Sequence, residues 1–312
     1  MNIITPHYLS FMQPIAKICA ILLLSSFWGC VEDVDDINLP KVEPKLVITS
    51  FISPDDTVKV KVTKSVPFNY NQTNIPNWDE FFPPIENAIV TIKNTETNHS
   101  ITIPYSTQFR CYLVAPTEFL VEYGKEYEIN VSAQGVKSVY AKTTVPQQNP
   151  SIESFKIDTV ATNTDYWEGS SDSYYDYMCT GTINDAEGVS NYYSVGLIIW
   201  EEYYYEWEDY YYTDIWYTGG VLFSDTDRDG QEISFKIDYT IANWSKKILY
   251  VVSCDEIYFR YHKSLYSTEE GNPFSEPSPL FSNIEGGLGV FCSFTSTEVT
   301  ILGNSPEEKG HK

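Results

Sequence analysis

Two stretches of this 312-residue chain carry side chains whose types and spacing could do chemistry. Asp225-Thr226-Asp227-Arg228-Asp229-Gly230 sets carboxylates at alternate positions ahead of a glycine, the opening of a calcium loop in which oxygens surround the ion and glycine permits the turn. Position twelve of that loop is Lys236, where a bidentate Glu would close the cage. Asp225, Asp227 and Asp229 are therefore half a metal site, and a glycine-containing hairpin turn between strands at 221–224 and 232–239 is the competing reading. The second stretch runs from Glu201 to Tyr217 and is acidic and aromatic at once. Tyr203, Tyr204, Tyr205, Trp207, Tyr210, Tyr212 and Trp216 offer faces that stack on sugars or apolar side chains, while the interleaved carboxylates accept from hydroxyls or pair with cations. A ligand or partner contact is the functional reading; an extended hairpin whose alternate tyrosines pack on a sheet is the structural one.

Conventional catalytic groups are scarce. The chain has four His and six Cys, and no nucleophile motif, metal-ligand cluster or phosphate-binding glycine loop stands out. Outside the N-terminal 30 residues the cysteines are Cys111, Cys179, Cys254 and Cys292, at spacings that fit no zinc site. Buried free thiols are expected, with a bridge among the last three as the alternative. The formal charge of −23, from 43 acids against 20 bases, repels nucleic acid and anionic headgroups. Nucleic acid is excluded as a partner on that ground.

Strands must position these groups. Val58, Val60 and Val62 alternate with Lys59 and Lys61, the period of a half-buried strand. Similar runs lie at 46–52, 88–92, 100–103, 109–114, 127–131 and 139–145. Seven short strands over about a hundred residues predict an immunoglobulin- or fibronectin-like sandwich over 45–147. It is interrupted between Pro67 and Pro84 by a long loop whose Trp78, Phe81 and Phe82 either bind or dock on a neighbour. Val145-Pro146-Gln147-Gln148-Asn149-Pro150 reads as a boundary, because prolines interrupt strand pairing. A second β-rich domain, a sandwich or barrel, is expected over 151–305, with a polar tail at 306–312. Within it, Asn184-Asp185-Ala186-Glu187-Gly188 reads as a hairpin turn. One helix is expected over 254–270, started by a capping box from Ser253 to Glu256 and stopped by Gly271 and Pro273. The fold class is thus mostly β, with one helix.

Ahead of these domains, Lys17, the apolar run 18–28 and small Gly29 read as a secretory signal over 1–29 that is too short to span a bilayer. Cys30 follows directly, as in a lipobox, where the thiol is acylated and becomes the first residue of a lipoprotein. Residues 30–44 are acidic and bounded by prolines, which suits a tether.

Asn272-Pro273-Phe274-Ser275-Glu276-Pro277 and Ser282-Asn283-Ile284-Glu285-Gly286-Gly287-Leu288-Gly289-Val290-Phe291 resemble the closing signature of the domain-of-unknown-function 4249 family, outer-membrane lipoproteins of Bacteroidetes-type bacteria. Leu46-Val47-Ile48, Glu86-Asn87-Ala88-Ile89-Val90 and Gly124-Lys125-Glu126-Tyr127 are also similar to that family. The resemblance implies a β-sandwich followed by a second β-rich domain, placement on the outer membrane through the lipid on Cys30, and association with TonB-dependent transporters. It brings no catalytic residues. The expected function is a surface-exposed accessory or ligand-capture lipoprotein whose small-molecule, glycan or peptide ligand is open. The alternatives are a hydrolase with a glycosidase-like carboxylate pair, or an adhesion or envelope structural protein. No enzymatic activity and no cofactor are expected, the partial calcium loop aside.

Overall fold

The computed structural model describes residues 43–54, 56–66, 82–163, 174–205, 210–217, 220–242, 246–269 and 279–301. Glu43–Lys312 forms one compact unit. The expected signal, Cys30 and the tether up to residue 42 lie outside the described residues, as do Trp78, Phe81, Trp207, the motif at 272–277 and the tail.

The first sandwich packs β1 (Leu46–Ile52), β2 (Val58–Lys64) and β6 (Cys111–Val114) on β4 (Ser100–Ile103), β3 (Ile89–Asn94), β7 (Glu126–Ser132) and β8 (Val139–Thr144), with a two-residue β5 (Tyr105–Ser106) beside β6. Period-two patterning builds it: Leu46, Ile48, Val58, Val60 and Val62 meet Val90, Ile92, Ile129 and Val131 in a shared core. Tyr127 pins one corner in the manner of an immunoglobulin tyrosine corner. Its hydroxyl accepts from the Glu122 amide at 2.8 Å and donates to the Leu120 carbonyl at 3.3 Å.

The second sandwich faces β9 (Ser151–Asn163), β10 (Tyr174–Asn184) and β14 (Glu232–Ala242) against β11 (Tyr192–Tyr205), β15 (Lys246–Cys254) and the far half of β16 (Leu288–Ile301). Cys179, Ile183, Ile233 and Ile237 meet Val195, Leu197, Leu249 and Val251 there. On the outer edge of β11 lie β12 (Tyr210–Tyr217) and then β13 (Val221–Ser224).

Two hairpins expected from turn composition are not hairpins. Strand β10 pairs with β9 and β14 while β11 pairs with β12, β13 and β15, so Asn184–Gly188 carries the chain between sheets. Strand β13 pairs with β11 and β14 with β10, so the aspartate turn at 225–231 crosses between the same two sheets. Turn chemistry fixes a reversal; which sheet the next strand joins is decided by which face its apolar residues must bury.

The two buried cores share one sheet. Strand β16 runs parallel to β1 over Leu288–Ser293, then antiparallel to β15 over Phe294–Ile301. One strand thus joins the sandwiches, and Phe291 lies fully buried in the first core. Gly289 permits the seam: it holds φ +99°, and a Cβ there would fall on the Ile48 carbonyl. Prolines at 146 and 150 remove amide donors from the linker, so side chains tie it down instead. Ser293, Thr295 and Thr297, at alternate positions of β16, donate to the carbonyls of Thr144, Gln148 and Pro150 at 2.7–2.8 Å.

Helix α1 (Glu256–Glu269) starts two residues after the expected position. Ser253 is held in β15, paired with Thr295, and cannot cap. Asp255 does so instead, its Oδ1 accepting from the Tyr258 amide at 2.8 Å. Tyr258 and Tyr261 pack against Phe51 of β1, and Tyr258 against Phe294 of β16. His262 is half-buried and stacks on Tyr258 with centroids 4.0 Å apart. Burial depresses its pKa, keeping the ring neutral.

Candidate functional site

A cleft of about 450 Å³ opens where the two sandwiches meet. Three segments build it: the linker at 146–150, the sheet-crossing turn at 184–191, and the junction of β15 with α1 at 253–256. Gln147, Gln148, Asn149 and Asn184 line it with amides, which both donate and accept, and Glu187 and Glu256 add carboxylates. Tyr192 supplies an aromatic wall, its ring 5.0 Å from Phe259 of α1. Size and lining fit a small polar molecule with several hydroxyl or amide groups.

Asp255 forms the inner wall. Burial pushes its carboxyl up to about 6, while the Thr143 hydroxyl, the Tyr258 and Ser293 backbone partners and the Ser293 hydroxyl pull the other way. Proton counting agrees with the upward shift. Thr143 Oγ1 lies against Asp255 Oδ2 and 2.8 Å from Ser293 Oγ, which reaches the Thr144 carbonyl at 2.8 Å. Ser293 Oγ also lies 3.5 Å from Asp255 Oδ2, so with Asp255 ionised the two hydroxyls have two protons for four contacts. A protonated Asp255 donates to Thr143, Thr143 to Ser293 and Ser293 to Thr144, which leaves only the long Ser293–Asp255 contact without a proton. The thiols of Cys254 and Cys292 are buried and pushed up by desolvation, and all four described cysteines are free, as expected.

Beside the cleft the two sheet-crossing turns bring Asp185, Asp225 and Asp229 together, with a carboxylate oxygen of each within 4.8 Å of the others. Asp227, the middle residue of the expected loop, is exposed and outside this group, which Asp185 joins from the other turn. Lys236, at the twelfth position, sits in β14 and pairs with Asp238. The triad is strapped by protein donors: the Asn191 amide to Asp225 at 2.8 Å, the Gly188 amide to Asp229 at 2.7 Å, and the Tyr193 hydroxyl and Gly230 amide to Asp185 at 2.7 and 2.9 Å. Burial and the two neighbouring carboxylates raise the pKa of Asp225, which is 3% exposed. The remaining oxygens could hold a divalent cation, but their arrangement comes from two corners and not from one calcium loop.

Tyr203, Tyr204 and Tyr205 end β11, and Tyr210, Tyr212 and Trp216 lie on β12. Register sets Tyr203 opposite Tyr212, Tyr204 opposite Tyr211 and Tyr205 opposite Tyr210, so the aromatic run is a hairpin at the edge of the large sheet. Phe82 is half-buried at the end of its loop.

The sequence model of the Domain of unknown function (DUF4249) matches residues 32–300. This chain belongs to the DUF4249 family. The two DUF4249 sandwiches and their junction cleft therefore come from the matched region, and the closing signature expected to mark the family supplies Gly289 and Phe291 of the β1–β16 seam. Among curated proteins none matches the chain. Of solved structures, the chicken interferon gamma receptor alpha chain is matched at 11% identity over 68% of this chain and 90% of that one, with a TM-score of 0.18. A score that low carries no argument about this chain.

Sequence reasoning missed Asp255 and Asp185 as site residues. Asp255 was legible as one member of Ser253-Cys254-Asp255-Glu256, a run with two candidate caps. Asp185 meets the other aspartates only through the sheet crossing, which leaves no local signal.

Proposed function

We propose that this DUF4249 protein is a lipid-anchored accessory lipoprotein of the outer membrane. In this reading it faces the cell exterior, works beside a TonB-dependent transporter and holds a small polar ligand in the junction cleft. The cleft is the observation that carries the reading: amide and hydroxyl groups converge on it from three segments tied to both sandwiches. Cys30 behind its apolar stretch and the family resemblance support the anchor and the transporter. The edge hairpin carrying Tyr203 to Trp216 provides the partner contact, since an edge strand with aromatic and acidic side chains can pair with or pack on another chain. Binding is favoured over hydrolysis because the one carboxyl of the cleft with a strongly raised pKa, Asp255, is spent on the helix cap and the Thr143–Ser293 chain.

The test is purification of the native protein from gently solubilised outer membranes, with co-purifying proteins and small molecules identified by mass spectrometry. A transporter in near-equal amount is expected, together with a polar ligand whose retention is lost in Glu187→Gln and Tyr192→Phe. A protein that comes down alone and empty overturns the proposal.

A further inference from the structure

In the second sandwich the same five residues occur twice. Ser154-Phe155-Lys156-Ile157-Asp158 of β9 and Ser234-Phe235-Lys236-Ile237-Asp238 of β14 flank β10 on either side, and both pair with Met178–Thr182 in the same register. They form the two edges of the three-stranded sheet. Among the described residues no strand pairs with the outer edge of either one. Their backbones differ. Strand β9 is bulged at Glu153 and Val160, where its register with β10 slips, and bulges turn an edge away from further pairing. Strand β14 keeps one register from Glu232 to Ala242 and contains no proline. Its Ile233, Phe235, Ile237 and Tyr239 are buried in the core, while Ser234, Lys236, Asp238 and Thr240 are exposed on the outer face. The edge of β14 is therefore an uninterrupted row of backbone donors and acceptors, guarded only by charged side chains.

We propose that the β14 edge is a docking surface for a second copy of this chain, the two strands pairing antiparallel about a two-fold axis at Ile237. Buried residues must face buried ones for both faces of the joined sheet to keep their character, so the axis falls on a residue and not between two. Centring on Lys236 or on Asp238 sets like charges opposite each other, and centring on Phe235 sets Asp238 opposite Glu232. Centring on Ile237 sets Lys236 opposite Asp238 of the second copy twice over, Phe235 opposite Tyr239 and Ser234 opposite Thr240. Within each strand Lys236 and Asp238 already pair at 3.0 Å, so two such pairs meet as a square of alternating charge. Each contact is returned by its symmetry mate, which closes the assembly at two copies. The two three-stranded sheets become one of six strands. This surface is independent of the ligand proposed for the junction cleft.

The charge pattern supplies the test. Each chain carries −23, so sedimentation equilibrium of the full-length protein is measured at about 0.15 M salt, where repulsion beyond about 8 Å is screened. A monomer–dimer equilibrium is expected. Lys236→Asp alone sets acids against acids, and Asp238→Lys alone sets lysines against lysines; each raises the dimer dissociation constant by at least about tenfold. An equimolar mixture of the two variants again sets lysines against acids and restores association as a heterodimer, which also shows that both variants are folded. Lys156→Asp and Asp158→Lys, the same changes on the bulged edge, leave the dimer unchanged. A chain that stays monomeric, a dimer indifferent to the β14 variants, one dispersed equally by the β9 variants, or a mixture that does not re-associate overturns the proposal.

Discussion

Asp255 does three jobs with one carboxyl: it caps α1, terminates the Thr143–Ser293–Thr144 chain and lines the cleft. Its folded pKa of about 6 lies above the ordinary aspartate value of 3.8, so the folded state binds the proton more tightly. The stability this supplies is full below about pH 4 and is lost as pH rises through about 6, amounting to at most about 3 kcal/mol. Asp255→Asn keeps an oxygen for the Tyr258 amide and cannot ionise. Urea unfolding from pH 4 to 7 should show wild type losing stability relative to the Asn variant as pH rises, with the variant at least as stable at pH 7; parallel curves would assign the pH dependence elsewhere. At this scale the sequence was half legible. A helix start was plain in Ser253-Cys254-Asp255-Glu256, but the choice of cap depended on β15 claiming Ser253 for its ladder with Thr295, a partner distant in sequence. Asp225 and Asp229 were legible as candidate ligands, and their actual companion, Asp185, was not.

Elements were recovered where period two is strict. The run Val58 to Val62 became β2, and the sandwich strands fell close to their expected ranges because alternate burial is written directly in the residue order. The two mistaken hairpins show the limit: turn residues locate a reversal, while pairing is set by which sheet has an unfilled face. Strand β16 shows a different kind of information. Its Ser293, Thr295 and Thr297 look like ordinary β-formers, yet their hydroxyls replace the amide ladder that Pro146 and Pro150 deny to the linker. The variant carrying both Thr295→Val and Thr297→Val keeps strand propensity and shape but leaves the carbonyls of Gln148 and Pro150 without those donors. It should lose about 1–3 kcal/mol in all, read as a lower urea midpoint, and amide exchange of residues 147–149 should rise severalfold while that of β3 and β7 stays unchanged. Because the linker forms one wall of the cleft, the same variant tests whether β16 holds the cleft in shape. A stability loss with no change in linker exchange would mean that the hydroxyls act elsewhere.

Across the whole molecule, composition suggests a boundary at 145–150, and the buried side chains of the compact unit form two clusters joined by one sheet. What composition could not show is that the first sandwich is completed by the last described strand. Leu46 to Ile52 faces Leu288 to Ser293, a pairing between the two ends of the compact unit that no local pattern records. Without residues 279–301, residues 43–147 lack Ile284 and Phe291 from their core and expose the edge of β1. Those two side chains are worth about 1.5–3 kcal/mol each in burial alone, against a total stability for such a domain of about 5–15 kcal/mol. An uncovered strand edge adds a template for association. Isolated 43–147 should therefore unfold at a much lower urea concentration than the same residues within the full chain, and should self-associate through β1. Sedimentation and urea melts followed by circular dichroism measure both, and a peptide spanning 279–301 added in trans should raise the midpoint and disperse the self-association. An isolated 43–147 that stays monomeric and melts at the full-chain midpoint would show the first sandwich to be self-sufficient. Residues 279–301 would then be an accessory strand and not the element through which a disturbance in one sandwich reaches the other.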